Sequence, residues 1–218
     1  MCFAKCFVLL QVQTYIILII QTNKTRKIMA KVYQFMANGT EEIEALTTID
    51  VLRRGGVEAL TVSITGSEYI EAAHGVVIKC DLTIEEADLS DADLLLLPGG
   101  MPGSTNLLEH EGVLQALLRQ AADGKRIGAI CAAPMVLGHL GLLRGKCATC
   151  YPGFEKYMDG AEYTQELFTI DGNIITGCGP AATLPYSYAI LEMLTDKDTV
   201  EGLKEGMMFN RMVSGLVG

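Results

Sequence analysis

The sequence predicts an α/β fold in which helices cover both faces of a mostly parallel sheet. From Lys31 onward, hydrophobic strand patterns alternate with helical patterns, and such alternation is typical of parallel sheets. The segment 91–100 contains four consecutive leucines before Pro98, which indicates a strand buried on both faces. Sheets of this kind place their chemistry in the loops beyond the carboxyl ends of their strands.

The elements follow from periodicity and turn residues. The first half is predicted to contain strands over 31–37 and 57–65, a helix over 41–54, a β-rich excursion over 69–81, a strand within 91–100 and a helix over 106–122. The second half is predicted to contain a strand over 126–130, a helix after Cys131, a strand over 146–150, a hairpin across Asp171-Gly172, and helices over 183–194 and 199–209. Gly55-Gly56 suits a helix end, and Asp-Gly is a strong tight-turn pair.

Composition excludes several classes of protein. The formal net charge of -9 and the absence of a long basic cluster argue against a nucleic-acid partner, because nucleic-acid affinity depends on neutralised phosphates. The seven cysteines follow no regular framework in a chain too long to need disulfides, so we expect a reducing cytoplasm. Cys147-Ala-Thr-Cys150 lacks a second ligand pair and the three histidines are scattered, so we expect no metal site.

The first 28 residues differ from the rest. Their apolar run, Phe7 to Ile20, is interrupted by polar residues, is short for a membrane span and lacks a signal-peptide cleavage site. We expect 1–28 to be a dispensable leader before a natural start at Met29, with a membrane anchor or an export signal as alternatives. One domain over 29–212 and a tail over 213–218 complete the predicted organisation.

Cys131 lies in a pattern that resembles a nucleophile elbow. Ala129-Ile-Cys-Ala-Ala-Pro134 has small residues two before and two after the cysteine, which allows a sharp strand-to-helix turn that exposes the middle side chain. Pro134 suits the first helical turn, and the amides there favour a thiolate. The alternative is a small buried cysteine with a packing role only.

A partner for Cys131 is not resolved by the pattern. His139 lies eight residues along the predicted helix and cannot reach back, while His110 is in a charged segment and His74 has no local link to the site. The remaining candidates are the acids that open the first helix: Glu41, Glu42 and Glu44. Helical periodicity places Glu42 nearest the Leu46 and Ile49 face, so it leaves the choice open.

Four segments together closely resemble the ThiJ/PfpI superfamily, and most of all its parkinsonism-associated deglycase subfamily. They are Asn38-Gly-Thr-Glu-Glu-Ile-Glu44, Asp50-Val-Leu-Arg-Arg-Gly55, Leu97-Pro-Gly-Gly100 and Ala129-Ile-Cys-Ala-Ala-Pro134. The resemblance implies a flavodoxin-like sandwich and a homodimer without a cofactor. It also implies that Cys131 is the nucleophile and Glu44 its acid, and that Gly99, Gly100 and Ala132 supply an oxyanion site.

One position departs from the family pattern. Relatives often have a histidine before the proline that is Pro152 here, whereas this chain has Tyr151. Tyrosine is a weak base, so we expect Tyr151 to contact substrate or to pack, and a peptidase activity is disfavoured. The segment Gly177-Cys-Gly-Pro-Ala-Ala182 mimics a dinucleotide fingerprint, but no further strand follows it, so we interpret it as a turn opening a helix.

The function expected from these residues is cysteine-dependent, cofactor-independent conversion of small reactive dicarbonyls, such as methylglyoxal to lactate, or deglycation of their early adducts. A protonated Glu44 would stabilise the thiolate, whereas an ionised one would repel it. The alternatives are a non-enzymatic oxidative-stress sensor or chaperone that uses an oxidisable Cys131, and a structural dimer with a decayed site.

Overall fold

The computed structural model describes residues 29–216, so the predicted leader over 1–28 and the last two residues of the predicted tail lie outside it. The strands are β1 Lys31–Met36, β2 Glu58–Ser63, β3 Tyr69–Glu71, β4 Val77–Lys79, β5 Leu82–Thr83, β6 Leu94–Leu97, β7 Arg126–Ile130, β8 Cys147–Ala148, β9 Glu162–Tyr163, β10 Phe168–Asp171 and β11 Ile174–Gly177. The α-helices are α1 Glu42–Arg54, α2 Gly103–Glu109, α3 Glu111–Ala122, α4 Pro134–His139, α5 Thr183–Leu194, α6 Lys197–Gly206 and α7 Phe209–Leu216.

Seven strands form one sheet in the order β10-β11-β7-β6-β1-β2-β5. All neighbours pair in parallel except β10 and β11, which form the hairpin predicted at Asp171-Gly172. Leu95 and Leu97 of β6 belong to one buried apolar cluster, and Leu94 and Leu96 belong to another. Because alternate residues of a strand point to opposite faces, the two clusters lie on opposite sides of the sheet. The predicted three-layer α/β fold is confirmed.

Three predicted elements differ from the structure. The helix predicted over 199–209 is divided between α6, which ends at Gly206, and α7, which begins at Phe209. The single helix predicted over 106–122 is two helices, α2 and α3, because His110 has extended backbone and its Nδ1 accepts a hydrogen bond from the Val113 N–H at 3.3 Å. His110 is therefore a half-buried helix cap rather than a solvated residue. The strand predicted over 146–150 is reduced to β8, which pairs with β9 in a separate small sheet.

The last residues that the structure describes are helical. Helix α7 runs through position 213, where the tail was predicted to begin. No helix within residues 29–216 combines the length and the apolar character needed to span a bilayer.

Strand order creates a crevice between β1 and β6. From β1 the chain moves outward through β2 and β5, and it then returns to the other side of β1 as β6. The loops after β1 and β6 therefore diverge at a topological switch point, where α/β sheets bind ligands. Backbone hydrogen bonds join these loops, from the Glu41 N–H to the Gly99 carbonyl at 3.0 Å and from the Gly103 N–H to the Gly39 carbonyl at 3.2 Å.

Candidate active site

Cys131 occupies a sharp turn between β7 and α4. Its φ of 65° is positive, which few non-glycine residues adopt. The Cys131 N–H donates to the Gly177 carbonyl at 2.9 Å, and the Cys131 carbonyl accepts from the Tyr151 N–H at 2.8 Å. Pro134 begins α4, as predicted. Hydrogen bonds on both sides of the residue thus hold a strained backbone, which is the geometry of a nucleophile elbow.

Glu44 projects from the first turn of α1 toward this turn and is fully buried. Its Oε2 accepts a hydrogen bond from the Gly99 N–H at 2.8 Å. Its Oε1 has no hydrogen-bond partner within the described residues. The carboxyl nevertheless lies close enough to the Cys131 thiol for each group to shift the pKa of the other.

The other two glutamates at the N-terminus of α1, Glu41 and Glu42, make different contacts. Glu41 is the helix cap, because its Oε2 accepts the Glu44 N–H at 2.8 Å. Glu42 points to His74, whose Nδ1 lies 2.7 Å from Glu42 Oε2. The geometry thus singles out Glu44 as the acid beside Cys131, which helical periodicity did not.

Gly99 separates the two side chains. A Cβ on Gly99 would lie 2.6 Å from the Cys131 Cβ and 2.6 Å from Glu44 Oε2, both far inside contact distance. Only a residue without a side chain leaves room for the cysteine and the acid to approach each other. Gly99 also uses its N–H on Glu44, so that group faces the acid rather than a substrate oxygen.

Burial controls the charge of Glu44. It raises the pKa of the carboxyl from its ordinary 4.5 to about 7, and the negative charge of Glu41 adds to this rise. Hydrogen bonds with Cys131 and Gly99 oppose the rise. Near neutral pH, Glu44 is therefore balanced between the acid and the carboxylate.

The pKa of the Cys131 thiol is raised by burial first, and then by the charge of Glu44 and by its hydrogen bond to the thiol. The N–H groups of Gly100 and Ala132 face the sulfur and lower that pKa. When Glu44 holds its proton, its negative charge is absent. The thiol and the acid are thus a coupled pair whose protons cannot be treated separately.

The remaining predicted residues surround the pair. Gly100 has a φ of 90°, and a Cβ there would collide with the backbone of Gly39 and Glu41. Tyr151 is half exposed, with its ring against Gly179 and edge-on to Phe154. Its backbone N–H, rather than its side chain, donates the hydrogen bond to the Cys131 carbonyl.

The pattern missed two residues close to Glu44. The charge of Glu44 raises the pKa of Cys178, after β11, and the pKa of Tyr186, in α5, although burial is the larger cause in both. The tyrosine is 1% exposed, and its hydroxyl has no hydrogen-bond partner within residues 29–216. The spacing of buried positions in α5 could have placed Tyr186 in the core, but not beside an acid of α1.

The histidines and the C-x-x-C pair lie apart from this pair. His139 is an exposed residue of a cleft of about 510 Å³. Cys147 and Cys150 are both free thiols. Glu41, Glu42 and His74 are close enough to hold an ion, but the helix cap and the Glu42–His74 pair already account for their contacts.

Comparisons with known proteins match most of this chain. The model of the DJ-1/PfpI family matches residues 30–193. Protein DJ-1 homolog B of Arabidopsis thaliana is 37% identical over 179 residues, which cover 81% of this chain and 40% of that protein. This chain therefore spans about two fifths of that relative.

Two shorter relatives have names that state an activity. The glutathione-independent glyoxalase DJR-1.2 of Caenorhabditis elegans is 31% identical, over 75% of this chain and 87% of that protein. The deglycase PH1704 of Pyrococcus horikoshii is 30% identical, over 75% of this chain and 99% of its own length.

Solved structures share the fold. Drosophila melanogaster DJ-1beta superposes with a TM-score of 0.80 at 31% identity, over 83% of this chain and 98% of that one. Oxidized Toxoplasma gondii DJ-1 superposes with a TM-score of 0.78 at 31% identity, over 82% and 98% of the two chains.

Proposed function

This chain belongs to the DJ-1/PfpI family, and from that membership and its cysteine–glutamate pair we propose that it converts small reactive dicarbonyls into hydroxy acids. Methylglyoxal, which would become lactate, is the model substrate. The same site would release early dicarbonyl adducts from amines and thiols, which is deglycation. Relatives named as a glyoxalase and a deglycase support this reaction class.

One observation carries the proposal: Cys131 stands on a strained elbow beside a buried acid whose pKa is raised to about 7. A group that titrates near the working pH is suited to both giving and accepting protons. The N–H groups of Gly100 and Ala132 face the sulfur, where they would also meet an oxygen that develops negative charge. A cysteine with only a packing role needs none of these features.

In the proposed reaction, Glu44 starts with its proton and donates a hydrogen bond to the Cys131 thiolate. The sulfur attacks the aldehyde carbon, and the resulting oxygen is held by the Gly100 and Ala132 amides. Glu44 gives its proton to that oxygen, and the carboxylate so formed removes the hydrogen of the attacked carbon and delivers it to the neighbouring carbon. The hydroxyl proton moves at the same time to the oxygen of the neighbouring carbon. The first carbon is thereby oxidised to a thioester and the second is reduced to an alcohol.

Water completes the cycle by hydrolysing the thioester, which releases the hydroxy acid and restores the thiol. The net change is the addition of water, so no external oxidant or reductant enters. Tyr151 lies at the rim, and we assign it to substrate contact rather than to proton transfer, because tyrosine is a weak base at neutral pH.

The test is lactate formation from methylglyoxal by purified protein. We expect Cys131→Ser to lower kcat/KM by roughly 10³-fold or more, and Glu44→Gln to lower it by roughly 10²-fold. Cys147→Ser is the matched control, because Cys147 is a free thiol outside the site, and its turnover should be unchanged. Full turnover in Cys131→Ser would eliminate the proposal.

A second candidate function is oxidation sensing, and the oxidized structure of the Toxoplasma relative favours it. Two equivalents of peroxide would convert the Cys131 thiolate into a sulfinate and two waters. The Gly100 and Ala132 amides and a protonated Glu44 would then bind the sulfinate oxygens. Intact-mass measurement after mild peroxide should show two added oxygens that map to Cys131, and oxidation spread equally over the other cysteines would contradict this function.

The proposal also covers the location, the partners and the oligomeric state of the protein. We assign it to the cytoplasm, without a nucleic-acid or membrane partner, and to a homodimer. The dimer is supported by two apolar side chains of α1 that are unusually exposed, Ile43 at 54% and Leu46 at 43%. Sedimentation analysis should give twice the chain mass, and a Leu46→Asp variant should give a monomer; a wild-type monomer would remove the dimer from the proposal.

A further inference from the structure

A narrow gap lies beside Glu44, on the inner side of the candidate site. Its polar lining consists of Glu44, Tyr186, Gln34 and Thr48, and the rest is apolar and belongs mainly to β6 and β7. The gap has no room for a water-sized sphere. Polar atoms that face it must therefore bond to each other or remain without a partner.

The sheet is shaped to receive the Tyr186 ring. A Cβ on Gly128 of β7 would lie 2.7 Å from the Tyr186 hydroxyl, and a Cβ on Gly177 of β11 would lie 3.0 Å from its ring. These two glycines belong to paired neighbouring strands. The absence of side chains at Gly128 and Gly177 leaves room for the Tyr186 ring to pack against the sheet near Glu44.

Glu44 and Tyr186 both line this gap, and each has one buried polar atom without a partner in the part of the chain that the structure describes. Glu44 Oε1 is a buried acceptor, and the Tyr186 hydroxyl is a buried donor; neither has a hydrogen-bond partner within the described residues. The other polar lining groups are occupied. Gln34 Nε2 donates to the Ala45 carbonyl at 3.1 Å, and the Thr48 hydroxyl donates to the Glu44 carbonyl at 2.8 Å.

We propose that Tyr186 is a positioning residue for Glu44, whose Oε1 accepts a hydrogen bond from the tyrosine hydroxyl across this gap. Oε2 lies on the side of Cys131 and Gly99. With Oε1 engaged by Tyr186, the acid proton is held on Oε2, where it faces the sulfur. This role deepens the proposed function, because it rests on Glu44 as the acid of that site.

The charges around Glu44 make a hydrogen bond from Tyr186 important for the pKa of this acid. The titratable groups that act on it or feel its charge are Glu41 at the start of its own helix, Cys131 at the elbow, Cys178 after β11 and Tyr186 of α5. All four are neutral or negative, so none stabilises the carboxylate by charge. Hydrogen bonds from Cys131, Gly99 and Tyr186 would be its main support, and loss of one should raise the pKa of Glu44.

The test titrates Glu44 directly, by carbon-detected NMR of side-chain carboxyls in a Cys131→Ser background. That background removes the coupled thiol and does not depend on aldehyde turnover, so failure here and failure of the proposed function are distinguishable. We expect Tyr186→Phe to raise the Glu44 midpoint by about one pH unit, the size expected for one hydrogen bond to a carboxylate. The Glu44 signal is identified by its loss in Glu44→Gln.

Tyr188→Phe is the matched control. Tyr188 lies in the same helix and is also buried, but its hydroxyl contacts the Met207 sulfur at 3.4 Å. Its loss should leave the Glu44 midpoint in place. An unchanged or lower midpoint in Tyr186→Phe would overturn the proposal.

Unfolding in urea gives a second, independent measurement. A bonded Tyr186 hydroxyl stabilises the fold, so Tyr186→Phe should lower the urea midpoint. Removal of a buried hydroxyl without a partner would raise the midpoint instead, and that result also counts against the hydrogen bond.

Discussion

Cys131 and Cys147 each stand beside a glutamate, yet their surroundings differ. The Cys131 and Glu44 pair is buried at the end of the central sheet. Cys147 lies at the edge of the small sheet, where its thiol donates to Glu162 Oε2 at 3.7 Å and Glu162 is exposed. The same two residue types therefore occur once in the interior and once at the surface.

The difference lies in what else faces the sulfur. Partial burial and the carboxylates Glu162 and Asp171 raise the pKa of Cys147. Cys131 also has an acid neighbour, but two backbone N–H groups oppose the rise, and burial keeps its acid protonated to about pH 7. A thiol beside a glutamate thus becomes a candidate nucleophile where the fold adds main-chain donors and keeps the acid protonated.

The largest expected effect of this difference is on the pH dependence of stability. In the folded protein Glu44 keeps its proton to about pH 7, against 4.5 ordinarily. Its contribution to the free energy of unfolding is complete below about pH 4.5 and is lost as the pH rises through 7. The loss is about 3 kcal/mol, since one pKa unit corresponds to about 1.4 kcal/mol.

Urea unfolding across this pH range measures the effect. The free energy of unfolding of Glu44→Gln should depend less on pH than that of the unaltered protein. Glu162→Gln, which alters the exposed Cys147–Glu162 pair, should retain the full slope. Equal slopes for all three proteins would show that burial does not hold the Glu44 proton.

The next effect concerns the spacing of the buried pair. Gly99→Ala forces a methyl group between Cys131 and Glu44, and a displacement of about 1 Å in an active site costs roughly 100-fold in rate. We expect kcat/KM for methylglyoxal to fall by about that factor. Gly202→Ala is the control, because a Cβ there meets no atom within 4 Å; similar rates for both variants would contradict the role of Gly99.

The smallest effect belongs to the surface pair. Glu162→Gln removes a negative charge beside Cys147 and should lower the pKa of that thiol. Because exposed charges are screened, we expect only a roughly threefold increase in the rate of Cys147 alkylation. Peptide mapping after brief iodoacetamide treatment measures this rate, and a slower reaction would reverse the sign we assign to Glu162.

Local signals predicted much of this molecule. The strand, the small residues and Pro134 around Cys131 predicted a sharp turn, and the backbone there turns with a positive φ. The four leucines of β6 predicted a strand buried on both faces. Each of these features depends on residues within a few positions of each other, so a local sequence pattern is enough to predict it.

The partner of Cys131 could not be found in this way. Periodicity used Leu46 and Ile49 to mark the buried face of α1. Ile49 is buried, but Leu46 is 43% exposed, and the buried face also carries Glu44. Only the resemblance to a known family pointed to Glu44. The split of α2 from α3 was also missed, because His110 caps α3 in a role more common for serine or aspartate.

The sequence by itself therefore determined the alternation of strands and helices, the elbow and the glycine loop, since hydrophobic periodicity and turn chemistry act over short distances. Tertiary structure alone decided which acid meets the cysteine, how far burial moves its proton, and that Tyr186 stands behind it. Those properties depend on residues brought together from β7, α1 and α5, and the dielectric and hydrogen-bond surroundings they create exist only after the sheet and helices have packed.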